Sequence, residues 1–341
     1  MAKFVKKMTP DTKLFPDGVL PDFFYAGPGV AGIGNEGDAA VDPSNYVFDE
    51  NDPSKDYLIQ RVPKDGTDWF HEIFKPAWSQ NHTLTISGGS EKVSYLFSIN
   101  YLDEQGTLIE TYLKRYAARI NTEYHLTKNI RLGENAYAFH KENPSFSNQD
   151  QDNAIFMALA MPPFIPVYNI AGHYGGTWEG PELGDRWNPV AMLQNTQNDR
   201  RNAWDIIGNI YAEIDFLKHF TIRTSIGGTI DNQYYYSFTP NRYQDKEFHN
   251  SINMYNENSL YNNSRIWTNT LTYGGLFGKH NLKVLGGSEA IKNQGRSVGG
   301  SSSNFFSTDP YYLVLGNGTS AVTNYSTAYS DQLYSLFGRL D

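Results

Sequence analysis

Two patterns in this sequence have spacings that could carry chemistry, and neither has the setting that chemistry needs. Gly27-x-Gly29-x-x-Gly32 matches a dinucleotide fingerprint, in which a strand delivers glycines to a helix N-terminus that holds a pyrophosphate. Pro28 sits inside the match and no amphipathic helix follows, so a loop is the reading. His71-Glu72 opens like a zincin helix, but position 75 is Lys, and no pair of the eight His has metal-ligand spacing. No Gly-x-Ser-x-Gly elbow occurs. With no cysteine there is neither a disulfide framework nor a thiolate metal site. Asp42, Asp49, Glu50, Asp52 and Asp56 could offer oxygens to calcium, yet they lack the EF-hand spacing and its glycine, and a solvated loop is the simpler reading. No catalytic residue, metal or cofactor is expected, and the chain is read as a non-enzyme.

Binding is better supported than catalysis. Segment 141–203 holds Tyr168, His173, Tyr174, Trp178, Asp185, Arg186 and Trp187. Such a set can stack on sugar rings or grip a peptide while polar groups fix orientation. The competing reading is that these rings pack the loop or meet a partner. A net charge of -9, with no basic stripe, argues against nucleic acid as a partner and leaves neutral or cationic ligands open.

The elements that position these residues are strands. No run approaches 18 apolar residues, so no transmembrane helix is expected, which says nothing against a barrel. Residues 1–78, rich in Pro, Gly and Asp, are read as a long irregular connection with a short helix near 68–74. The start, Met1 to Met8, is positive but lacks an apolar stretch before Pro10 and Asp11. It is no signal peptide, and an exported protein with this start is expected to be incomplete. From 79 to 341 two-residue alternation takes over. Tyr95, Phe97, Ile99 and Tyr101 oppose Ser98 and Asn100, and Tyr116, Ala118 and Ile120 oppose Arg119, Asn121 and Glu123. Ile206, Ile210 and Ile214 oppose Asn209 and Glu213, and Ile222, Ile226 and Ile230 oppose Arg223, Ser225 and Asp231.

Tight turns at 88–92, 126–129, 217–219 and 278–280 alternate with long links, including 141–203, 232–264 and 291–330. All short turns thus fall at one end of the sheet, as in an outer-membrane barrel with short periplasmic turns and long extracellular loops. The expected fold class is all-β: an antiparallel transmembrane β-barrel, partial, of about nine strands. Tyr234, Tyr235, Tyr236 and Phe238 are read as an interfacial girdle. Arg119, Asn121, Glu123, Asn209, Glu213 and Arg223 are expected to face the lumen or a plug. A soluble extracellular β-rich carbohydrate-binding module and a passive porin are the alternatives.

Several segments, in order, resemble the SusC/RagA family of TonB-dependent outer-membrane transporters. They are Asp68 to Phe74 with Gln80 to Lys92, Tyr95 to Gly106, Lys114-Arg115-Tyr116 with Arg119-Ile120-Asn121, Ala160 to Tyr168, Asn188 to Ala191, Gly208 to Glu213 with Asp215 to Lys218, and Leu336 to Asp341. The resemblance covers about residue 65 to the end. It implies a 22-stranded barrel with a lumenal plug, a Gram-negative, Bacteroidetes-type outer-membrane location in contact with lipid, energy from a TonB complex reached through the plug, and a SusD-like surface lipoprotein as lid. The implied cargo is an oligosaccharide or peptide. No plug-like segment, TonB box or closing strands are found, so an internal barrel piece is expected.

Overall fold

Alternation over roughly ten residues predicts paired strands, and paired strands form, the later ones about twice that length. The computed structural model describes residues 14, 15, 17–49, 52–144, 153–241 and 252–341. The start of the chain and Glu50 therefore lie outside the described residues. Nine strands build one antiparallel meander: β4 (Ser79–Gly89), β5 (Val93–Gln105), β6 (Tyr112–Thr127), β7 (Ile130–Asn143), β8 (Arg200–Phe216), β9 (Phe220–Thr239), β10 (Met254–Phe277), β11 (His280–Ser303) and β12 (Ser320–Leu340). Each strand pairs with its sequence neighbours, and the sheet is open, with β4 and β12 at its edges.

Turn chemistry explains one end of the sheet. Leu217 and Lys218 both take positive φ, 50° and 62°, as a type I′ hairpin turn demands. Gly278 does the same at 60° between β10 and β11. The other end carries the long links, but two are shorter than expected. Strand β9 continues to Thr239 and β10 opens at Met254, where 232–264 was expected to be loop. Likewise β11 reaches Ser303 and β12 opens at Ser320, inside the expected loop 291–330. Beyond the tight-turn half of the sheet these strands pack locally, Phe238 and Tyr255 against Phe305 and Leu313, so pairing persists where the two-residue alternation that advertises it has gone.

Residues 1–78 also differ from an irregular connection. Three short strands, β1 (Phe23–Gly27), β2 (Val30–Gly34) and β3 (Leu58–Arg61), form a sheet in the order β2-β1-β3. The fingerprint-like glycines lie in its hairpin, where Gly29 at φ +72° makes the turn after Pro28. Helix α1 (Trp69–Ile73) starts on Asp68, whose side chain accepts from the His71 N–H. Asn153 and Asn188 cap α2 (Ala154–Ala160) and α3 (Pro189–Gln194) in the same way. These pieces share an apolar core that includes Phe15, Phe24, Trp69, Ile73, Ile165 and Leu193. Residues 14–75 and 153–199 thus make one cap over the long-loop end. Backbone bonds fasten it to the β5–β6 link, with the Lys75 N–H on Thr107 O at 2.8 Å and the Ile109 N–H on Ile73 O at 3.0 Å.

Candidate functional site

The register sorts the sheet's side chains into two faces, because directly paired residues share a face and neighbours along a strand alternate. One face carries exposed Leu84, Ile99, Ile206, Ile210, Ile226 and Leu271. The other carries all six residues expected to face the lumen. Exposed apolar side chains on one face and charge on the other is the arrangement of a wall between lipid and an aqueous interior.

The apolar band crosses the strand ladder obliquely. Its outer edge is a row of rings, His82, Tyr101, Tyr116, His140 and Trp204, joined through direct strand partners and with centroids 4.3–6.5 Å apart. The row continues on β10 at Tyr261, but on β10 to β12 the unbroken apolar band ends lower, at Trp267 and Tyr334, six residues nearer the tight turns. A band of constant height must descend this way if the strands are tilted, and closure of a barrel requires that tilt. Of the expected girdle, Tyr234 and Tyr236 share the outer face but stand beyond the row of rings, and the other two residues are corrected. Tyr235 lies on the polar face, and Phe238 is buried with Tyr255, Phe305 and Leu313 beyond the band.

On the polar face the expected residues divide into two groups. Nearer the middle, Arg119, Asn121 and Asn209 line a recess of about 470 Å³. There the Arg119 guanidinium covers the Tyr137 ring at 5.2 Å, and Asn209 donates to Ser225 Oγ at 3.1 Å. Nearer the tight turns a charged network forms. The Tyr211 hydroxyl donates to Glu123 at 2.6 Å, and the Arg223 guanidinium lies 3.8 Å from the Tyr211 ring centre. Glu213 accepts from Arg223 at 3.4 Å and from Arg131, which also reaches Asp215 at 3.0 Å. Arg131, Tyr137 and Tyr211 were missed from sequence, although their place in the alternation puts each on the polar face. Arg131 and Arg223 are thus matched by Glu213 and Asp215, while Glu123 is held by the Tyr211 hydroxyl.

The seven aromatic and charged residues of the long loop do not converge on one cavity. Tyr168 and Tyr174 stack at 5.6 Å, and both hydroxyls point to Gln194 Oε1, at 3.4 and 2.6 Å. The His173 ring lies 4.2 Å from the Phe48 ring and 6.2 Å from Tyr46. Arg186 pairs with its neighbour Asp185 at 3.5 Å. Trp178 is half-buried beside Glu179, and Trp187 borders a recess of about 280 Å³ with Tyr235 and Phe238. Tyr168 alone of the seven lines a cleft of the cap of about 890 Å³, with Phe23, Glu36, Asp42, Arg61 and Asn169. Packing accounts for Tyr174 and His173, while Tyr168 presents a 47% exposed residue to the cleft.

The cap interior is polar in one place. Glu179 is fully buried, accepts from Asn169 Nδ2 at 3.2 Å, and burial holds its carboxyl well above the usual range. Asp56, buried beside it, is also raised by burial although it accepts the Asp49 N–H at 2.7 Å. Two other acids of that stretch serve locally: Asp42 accepts from the Ser44 N–H, and Asp52 pairs with Lys55 at 2.8 Å. Among the described residues no group of three or more His, Asp or Glu is placed to hold a metal. At the cap's junction with the sheet, Asp199 accepts the Phe238 N–H at 2.8 Å, and burial pushes its carboxyl up to about 6.

An antiparallel meander with an oblique apolar band outside and a charged lining inside defines a class: a section of wall from an outer-membrane-type β-barrel. Comparison with known proteins narrows the class. No family model matches the chain. It is 28% identical over 295 residues to TonB-dependent receptor P3 of Formosa agariphila, covering 81% of this chain and 28% of that protein. It is also 28% identical over 316 residues to TonB-dependent receptor SusC of Bacteroides thetaiotaomicron, again covering 81% and 28%. The solved RagAB peptide transporter superposes with a TM-score of 0.68 at 23% identity, over 82% of this chain and 32% of that one. The chain resembles the SusC/RagA type of TonB-dependent transporter in sequence and in fold, and it spans less than a third of the length of these relatives.

Proposed function

We propose that this chain forms part of the barrel of a TonB-dependent outer-membrane importer of large nutrients, working with a SusD-like surface lipoprotein as lid. The observation that carries the reading is the pairing of a lipid-type face with a charged inner face across nine strands in one register. The cargo is an oligopeptide or a glycan, and likeness to the RagAB peptide transporter favours peptide as the first to try. In this reading the inner network of Glu123, Tyr211, Arg223, Glu213 and Arg131 contacts a plug, the cap cleft beside Tyr168 meets cargo or lid, and no covalent step occurs in the chain.

Uptake by cells with and without the gene is the test, using labelled oligopeptides and oligosaccharides, each with and without collapse of the inner-membrane proton gradient. The reading expects gene-dependent uptake of one class that stops when the gradient collapses. Gene-dependent uptake that survives the collapse would make the protein a passive porin. Recovery of the protein as a soluble extracellular monomer would make it a binding module.

A further inference from the structure

Three cations share the outer face of β10 and β11, although no basic stripe is visible along the sequence. Arg265 and Lys292 are direct cross-strand partners, a placement in which like charges repel. Arg296 stands on the same face, four residues farther from the tight turn along β11. Among the described residues none of the three makes an ion pair. Arg265 Nε donates instead to Asn263 Oδ1 at 3.1 Å. Neighbours on this face are the neutral Asn263, Gln294 and Gln332. The acids of these strands at this height turn the other way: Glu289 accepts from Thr268, and Asp331 from Asn293, on the inner side.

The height of the cluster decides what it meets. Trp267 and Tyr334, 54% and 68% exposed, mark the outer edge of the apolar band here, and Arg265, Lys292 and Gln332 stand one paired row beyond them. Uncompensated cations just outside an aromatic edge lie where lipid headgroup phosphates lie. Two repelling cations held side by side are best relieved by one shared anion, and a phosphate offers each a charge-assisted hydrogen bond.

We propose that Arg265 and Lys292, flanked by Arg296, bind the phosphate of an anionic outer-leaflet lipid whose acyl chains rest on Trp267, Leu271 and Tyr334. The inference rests on the outer-membrane reading above. It adds a site that faces away from the cargo path, and it explains why a like-charged pair sits on a lipid-facing wall.

The test uses the protein extracted from its own membranes in mild detergent. Retained lipid is measured by mass spectrometry, and rebinding in nanodiscs containing phosphorylated or dephosphorylated lipid A. The variants are Arg265→Gln with Lys292→Gln, and the charge-preserving Arg265→Lys with Lys292→Arg. The neutral pair should lower affinity for the phosphorylated lipid about thirtyfold at low salt, from about 1 kcal/mol per charge at the headgroup level. The charge-preserving pair should keep most of it, and the dephosphorylated lipid should distinguish none of the forms. Equal retention by all forms, or equal loss for both lipids, overturns the site. Inorganic phosphate binding as well as the lipid does would overturn its assignment to a lipid. If the outer-membrane reading itself were wrong, the protein would be missing from the membrane fraction before any lipid was measured.

Discussion

The cap and the wall solve opposite problems with the same residue types. In the cap, Phe24, Ile73 and Ile165 are fully buried against one another, as in any water-soluble core. In the wall, Ile206, Ile210 and Ile226 stand 49%, 59% and 56% exposed, while Glu213 and Arg131 are drawn inward. Hydrophobic order in the cap is set by exclusion from water, and in the wall by what lies outside the sheet. The same substitution should therefore have different costs in the two regions.

Removing a ring from the cap core gives the largest difference. Phe24→Ala should cost about 3–5 kcal/mol through lost transfer energy and a cavity, read as earlier proteolysis of the cap in urea. Ile210→Ala at mid-band should cost well under half of that, because lipid fills the space. Equal costs would mean that Ile210 is packed against protein. Charge reverses the contrast. Ile210 lies midway between Trp204 and Phe216 along β8 on the outer face, so Ile210→Arg should cost about 2–4 kcal/mol at the bilayer midplane. An arginine at exposed Leu159 on α2 should be nearly neutral. Refolding into lipid vesicles against urea measures both.

Inside the wall, Glu213→Gln should cost about 1–3 kcal/mol, since Arg223 loses its carboxylate partner while Arg131 keeps Asp215. The smallest effect is at the junction of the two regions. The Asp199 carboxyl, held up at about 6, binds its proton more tightly folded than unfolded. Its share of stability is therefore present below the ordinary carboxylate range and is lost as pH rises from there through about 6. Asp199→Asn keeps an acceptor for the Phe238 N–H and should flatten that slope, with a gain on the order of 1 kcal/mol at pH 7. Thermal melts at pH 4.5 and 7 in both forms would show it. A steeper slope in the variant would contradict the assignment.

What the sequence discloses follows the same division. Tyr95 to Tyr101, Tyr116 to Glu123 and Ile206 to Phe216 each lie with one face in lipid and one in water, so their alternation and the tight turns between them can be read directly. Gly299, Gly300 and Ser301 pair on β11 yet read as loop, because they stand beyond the band, where nothing enforces alternation. The cap was illegible for another reason. Phe24 and Phe164 meet edge to face at 5.8 Å across 140 residues of chain, and no local pattern announces such a contact. Among the candidate residues, the six inward ones follow from strand parity, whereas the seven loop residues depend on that long-range packing. The cluster of Arg265 and Lys292 escaped notice because a hairpin brings together what 27 positions separate.

The central claim is that between 206 and 214 the even-numbered positions of β8 face lipid and the odd-numbered ones face water. The chain has no cysteine, so single cysteines at positions 206 to 214 can each carry a fluorophore after assembly in membranes. The account predicts that labels at 206, 208, 210, 212 and 214 are quenched by brominated lipid, while those at 207, 209, 211 and 213 are quenched by aqueous iodide. Quenching without a two-residue period, or iodide access at every position, would contradict it.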